Sequence, residues 1–456
     1  MQNTDSTQRN SGPTVLHLLW VMLLATCVTS VVLMGVPAGL QYWARDHEGL
    51  AAPSMVAPYR FQLPTEGNLD HELSFYQDRI SRNPTAGVDM ASLAGVYLKK
   101  ARLSGEPSWY LLAEQTALRS LTNLPVNNEA AVLILAHVAE SRHEFKRAIE
   151  LAHRVAKVRP ADALAVYITS YLAMGRVADA SHAADILLDN APGIGPLTQW
   201  ALVEEAQGRE RPAIKALQKA LTMEEPGEIE SAARTRMFLG RIHFKRGRYA
   251  LAQEYYREAL LIQPQSYMAM GYLADAEYAT GNYQDAMRHY SQAFAIFPQA
   301  LYLMGMARIS AAEGDTAAAG SLQQQAEVLL RRDLTGGAFG HRRDLGRLLL
   351  ERGQPADLKE AMSLMLAEQK LRTDAETMDV LAWALSSNHR WTEALVAMQQ
   401  ALHWGVRDAD MFYRAGSIEQ QLGHKAEARR YFQAALATNP AAEHAQAARE
   451  ALAGGR

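Results

Sequence analysis

Small and aromatic residues recur along this chain at a fixed long period, inside stretches whose apolar positions follow helical spacing. Gly240, Gly247, Tyr249, Ala252, Tyr256, Ala259, Leu260 and Pro264 each return 34 residues later as Ala274, Gly281, Tyr283, Ala286, Tyr290, Ala293, Phe294 and Pro298. Apolar residues three and four apart build one face of a helix. Two such helices cross closely only where side chains are small, so Ala252 and Ala259 of a second helix are expected to face Gly240 of a first. Gly247 ends the first helix and Pro264 stops the second. The unit is therefore a pair of antiparallel helices, and a pair cannot bury its apolar face without a neighbour.

The same frame fits most of residues 87–442. His143, Phe145, Ala148, Ala152 and Pro160 mark one copy, and Gly175, Val177, Ala180, Ala184 and Pro192 the next. Weaker copies follow at Gly208 and Ala213, at Ala307 and Gly314, at Gly346 and Gly353, and at Ala382 and Trp391. Gly416, Gly423, Ala428, Phe432 and Pro440 complete the last, and Ala94, Tyr97, Ala113 and Ala117 belong to the first. The frame resembles the tetratricopeptide repeat (TPR): small at position 8, Gly at 15, aromatic at 17, Ala at 20, aromatic at 24, Ala at 27 and Pro at 32. The Trp frequent at position 4 is missing, its place taken by Leu, Met, Val or Arg. The resemblance implies an all-α fold, a right-handed α-solenoid of about ten helix pairs over 87–442. Residues 443–456 form a C-terminal capping helix and tail over the last repeat.

The N-terminal part reads differently. Residues 1–14 are a polar tail, and 15–36 (VLHLLWVMLLATCVTSVVLMGV) carry no formal charge. At about 1.5 Å per residue that run reaches roughly 33 Å, enough to span a hydrocarbon core. It is expected to be one transmembrane helix ahead of the solenoid; a cleaved signal peptide is the other reading. Cys27 falls within it as a small apolar residue. Residues 37–86, broken by Pro53, Pro58, Pro64 and Pro84, form a linker whose Leu69, Leu73, Tyr76 and Ile80 fit one short amphipathic helix.

Charge and chemistry narrow the function. Lys and Arg number 46 against 49 Asp and Glu, a net charge of −3, which gives no electrostatic reason for nucleic-acid binding. With one cysteine, neither an intrachain disulfide framework nor a multi-cysteine metal site can form. His47, His71 and His143 each precede a Glu, but none starts an HExxH motif, and neither a P-loop nor a G-x-S-x-G elbow occurs. No catalytic residue, metal or cofactor is assigned.

In TPR proteins the concave groove is lined by positions 2, 5, 9, 12 and 13 of each first helix. Carried onto this sequence, they are Arg234, Met237, Arg241, Phe244 and Lys245 in one repeat, and Asp275 and Tyr278 in the next. Arg308, Arg343 and Arg347 follow further on. Arg234, Arg241 and Lys245 fall within about 40° on one helical face. This resembles, loosely, the basic carboxylate clamps of chaperone-binding members of the family, and implies a protein or peptide partner that is acidic or ends in a carboxylate. The opposing reading pairs Arg241 with Asp275 and leaves the strip a solvated, neutralised face. The functional expectation is a membrane-tethered interaction scaffold in a bacterial inner membrane, with repeats on the periplasmic or extracytoplasmic side, acting in envelope assembly, secretion or maturation. A non-catalytic subunit or regulator of a membrane enzyme complex is the alternative.

Overall fold

The computed structural model describes residues 66–104, 106–225, 229–335 and 341–454. The apolar run at 15–36, with Cys27, lies outside them. Among the described residues there are 22 helices and no strand, and none is long and apolar enough to cross a membrane. Helix α1 (Glu66–Arg82) precedes ten hairpin pairs, and a last helix, Ala445–Gly454, follows them. The pairs that carry the site are Pro160–Ala173 with Val177–Asn190 (repeat 3), Ile194–Ala206 with Glu210–Leu221 (repeat 4), and Ile229–Lys245 with Tyr249–Ile262 (repeat 5). Arg342–Arg352 with Pro355–Glu368 (repeat 8), Ala375–Ser387 with Trp391–Leu402 (repeat 9) and Ala409–Gln421 with Lys425–Thr438 (repeat 10) complete the set.

The hairpins of repeats 2–10 each turn on one residue in the left-handed region. In repeat 5 Gly247 (φ 71°) donates to the Phe244 carbonyl at 2.9 Å while Arg248 N–H reaches back to His243 at 3.0 Å. This pair of bonds satisfies carbonyls that no intrahelical N–H can reach. The same pattern recurs at Gly175, Gly208, Gly281, Gly314 and Gly423, and at His143 and His389, whose φ values of 60° and 59° show that the turn accepts a side chain.

The helices of a pair interlock through a ring and a bare backbone. Ala252, Ala259, Ala286 and Ala293 are fully buried. The residue that Gly240 faces, however, is Tyr256, on whose ring an added Cβ would overlap, and Gly416 meets Phe432 in the same way. The position-24 ring thus fills the space that the bare backbone leaves, and Ala252 packs in the same cluster. Where position 8 is Ala274, the ring of Tyr290 turns instead onto Gly305 of the following repeat. Apolar clusters run along the chain from repeat to neighbouring repeat, with Leu73, Tyr76 and Ile80 of α1 closing one end and Ala448 and Leu452 the other.

The solenoid also meets itself. The turn of repeat 3 touches the joint after repeat 8, where Thr373 N–H donates to the Ala173 carbonyl at 3.1 Å and its hydroxyl to Met174 at 2.6 Å. The indole of Trp404 donates to the Gly175 carbonyl at 3.1 Å, and Gly208 of repeat 4 abuts Gly405 after repeat 9. Tyr249 of repeat 5 donates to Ala441 and accepts from Asn439, both after repeat 10.

Gly240→Ala should destabilise by about 1–3 kcal/mol, because the new methyl displaces the Tyr256 ring in a filled crossing. Gly320→Ala, at an exposed helical position with open space around it, should stabilise by about 0.5–1 kcal/mol. Urea unfolding of the two variants checks both signs.

Candidate binding groove

Repeats 3–5, the joint after repeat 8 and repeat 9 with the joint that follows it line an open cavity of about 780 Å3. Its apolar wall includes Leu172, Leu202, Phe238 and Trp404, and its charged wall Glu205, Arg241, Lys245, Arg372, Asp374 and Glu376. Arg241, at position 9 of repeat 5, stands over the Phe238 ring at 5.5 Å and donates from Nη2 to Glu205 at 2.5 Å. Glu205 is at position 12 of repeat 4, so the pair is made by first helices of adjacent repeats. Lys245, one helical turn on, reaches the same carboxylate at 3.4 Å and Glu376 of repeat 9 at 3.9 Å. Arg343 approaches Glu376 at 3.3 Å and Asp374 at 3.4 Å, and Arg372 holds Asp374 at 2.9 Å.

The charges tune one another. Burial alone would raise the Glu205 carboxyl, but Arg241 and Lys245 hold it down at about 2. Glu376 is held well below the usual carboxylate range by Arg343, against burial, with help from Lys245 and Arg241. Its side chain is nonetheless 50% exposed, whereas that of Glu205 is only 10% exposed. For Lys245 burial disfavours the charge, and Glu205, Glu376 and Asp408 together more than restore it. Buried ionic groups need such partners, since neither carboxylate nor ammonium keeps its charge unpaired out of water.

Of the sequence-derived residues, Arg241 and Lys245 line this cavity, and Arg343 stands behind its wall on Asp374 and Glu376. Asp275 and Arg308 pair separately at 3.5 Å, where Tyr290 also donates to Asp275 at 2.5 Å. Tyr278 lies beneath Arg308 at 5.7 Å and beside Tyr283 at 5.6 Å. Arg347 approaches Glu351 at 3.9 Å on its own helix. The Arg241–Asp275 pair is corrected, because Asp275 is taken by Tyr290 and Arg308 while Arg241 neutralises Glu205. Three further assignments move as well. Arg234 is exposed and pairs with Glu230 at 3.4 Å, and Met237 is buried among Ala233, Ala259, Ile262 and Ala269. Phe244 packs on Tyr249 at 5.3 Å. Glu205 and Glu376 were missed, although both occupy groove positions of the frame, 12 in repeat 4 and 2 in repeat 9.

A depressed carboxylate stabilises the fold above its unfolded pKa and ceases to as pH falls through its folded one. Glu205 falls from 4.5 to about 2, so about 3 kcal/mol present at neutral pH should vanish between pH 4.5 and 2. Unfolding free energy measured across that window should fall more steeply in the wild type than in Glu205→Gln.

Residues 198–301, in two overlapping matches, and 409–441 match family models described as tetratricopeptide repeat. No curated protein matches the chain. Among solved structures it is similar to a human IFIT1 dimer with PPP-AAAA, at 14% identity over 83% of this chain and 96% of that one, with a TM-score of 0.45. Yeast Tom70 aligns at 12% identity over 86% and 92%, with a TM-score of 0.38. The chain thus carries tetratricopeptide repeats within an all-α solenoid.

Proposed function

We propose that this protein is a non-catalytic scaffold that holds a polypeptide partner in the cavity between repeats 3–5 and repeat 9 with its flanking joints. The observation that carries the reading is the cation set at that cavity: Arg241 and Lys245 line it, Arg343 reaches its wall through Glu376, and Glu376, the counter-charge that Lys245 and Arg343 share, is half exposed. An exposed carboxylate on a partner can take the place of Glu376 on Lys245 and Arg343, while Phe238 and Trp404 cover apolar side chains beside it. The partner is accordingly acidic or ends in a carboxylate. Glu205, nearly buried, stays with Arg241 and fixes the orientation of that guanidinium.

Residues 15–36 are proposed to remain in the protein as a single membrane span, with the repeats on the extracytoplasmic side. The support is the length and apolarity of that segment. Tethering raises the local concentration of membrane-borne partners, which suits assembly, secretion or maturation at a cell envelope.

Charge-assisted bonds to a carboxylate are worth roughly 1.5–3 kcal/mol. Lys245→Gln with Arg343→Gln should therefore reduce partner recovery from crosslinked membranes roughly tenfold or more at matched expression, with helicity unchanged. Equal recovery would remove these cations from the site. For the anchor, mass spectrometry should find the mature N-terminus ahead of residue 15, and a terminus beyond residue 36 would refute retention.

A further inference from the structure

Charge is unevenly spread over the polar sides of the second helices. Residues 142–159, which hold the second helix of repeat 2 (Phe145–Val155) and its flanking turns, carry six Lys and Arg against two Glu, in a chain whose net charge is −3. The second helix of repeat 3, Val177–Asn190, carries three Asp and neither Lys nor Arg. In repeat 2 the buried Ala148, Leu151, Ala152 and Val155 fix which way the helix faces. By the 3.6-residue period Lys146, Glu150 and His153 fall on the opposite side, with Arg154 beside them. All four are exposed, as is Lys157 in the turn that follows.

Some of these cations are neutralised. Arg147 holds Glu144 at 2.9 Å, and Arg159 holds Asp162 at 2.7 Å. Lys146, Arg154 and Lys157 form no ion pair with a described carboxylate, and Glu150, the one acid among them, pairs with none of them. From Lys146 to Lys157 the stripe runs roughly 16 Å at about 1.5 Å per residue. An uncharged strip stands next to it, on the second helix of repeat 1 (Pro107–Asn123), whose Glu114 lies 3.6 Å from Arg147. Leu111 and Leu118 of that helix are 43% and 47% exposed, and Val158, at the end of the basic stripe, is 64% exposed. Unpaired cations beside exposed aliphatic side chains suit a bilayer interface, where Lys and Arg meet phosphate headgroups and apolar groups enter the acyl boundary.

We propose that the outer face of repeats 1–2 lies on an anionic lipid surface, with Lys146, Arg154 and Lys157 against the headgroups and Leu118 and Val158 dipping between them. The three cations are strung along a helix face instead of converging, so a continuous anionic surface meets all of them at once where a single acidic side chain cannot. The three Asp of Val177–Asn190 would be repelled by the same surface and set the edge of the contact. This contact depends neither on the partner-binding cavity nor on the span proposed for residues 15–36.

The test uses the full chain with Cys27→Ser and one environment-sensitive fluorophore on Val158→Cys, reconstituted with vesicles that carry a headgroup spin label as quencher. With about 30 mol% phosphatidylglycerol in phosphatidylcholine, quenching at 158 should be at least threefold that in phosphatidylcholine alone, and about 0.5 M salt should abolish the difference. The same fluorophore on Leu261→Cys, a site 74% exposed in the second helix of repeat 5, should respond equally to both lipids. Lys146→Gln, Arg154→Gln and Lys157→Gln together, all at exposed positions, should bring quenching at 158 down to the phosphatidylcholine level with helicity unchanged. The comparison is between lipid compositions, so it reads the same whether or not residues 15–36 insert. Equal quenching in the two lipids, or a triple variant that keeps the wild-type difference, would overturn the proposal. So would a fluorophore at 158 that responds to poly-glutamate and not to the vesicles, which would assign the face to an acidic polypeptide instead.

Discussion

The described solenoid is organised by a single dihedral, the left-handed residue on which the hairpins of repeats 2–10 turn. At eight of these turns it and the next residue close two hydrogen bonds onto the last carbonyls of the first helix and send the chain back along its own path, so the second helix must lie on the first. Once two helices are held that close, small residues and a ring become obligatory at the crossing, as Gly240 and Tyr256 show. Repetition of the unit then gives a core that no single pair could bury. At Gly175, Gly208 and Gly247 the same residue does a second job, because its lack of a side chain lets a distant joint come into contact.

The inner surface follows from that closure. First helices face inward, and their long charged side chains would repel or stay solvated in an open arc. Brought round into a closed arrangement, Lys245 of repeat 5 and Arg343 of repeat 8 share Glu376 of repeat 9. The result is a wall of paired charges beside an apolar one, in which one carboxylate, Glu205 on Arg241, is nearly buried and another, Glu376, is half exposed. A buried pair is costly to break and fixes geometry; an exposed one exchanges readily. That difference separates the group that positions the cation from the group a ligand can replace.

The hairpin frame was legible because sequence neighbours make it: glycine, ring and alanine stand at constant offsets within one unit. The site was legible only in part. Arg241, Lys245 and Arg343 are groove positions, and the frame located them. The partner of Arg241 is on the preceding repeat, which keeps Gly208, Ala213 and Ala220 but has Glu210 and Leu217 where the frame has aromatic residues, so its Glu205 passed unread. Glu376 is four repeats from Lys245, and only the path of the whole solenoid, which no local spacing encodes, brings them together. Arg236 is a different failure. It sits at position 4, where a large apolar residue is usual, and is buried with Glu258 at 3.0 Å and with Glu224. A charge there reads as exposed until two carboxylates from separate segments are seen to enclose it.

The central claim is that the partner lies inside, between the two halves of the solenoid. The most direct measurement places a photoreactive amino acid at Phe238, on the cavity wall, and in a second protein at Leu261, which is 74% exposed. Irradiation of intact cells followed by mass spectrometry of the adducts should give one discrete polypeptide crosslinked from position 238 and none shared with position 261. Adducts confined to position 261, or the same adducts from both, would place the partner on the outer face and contradict the account.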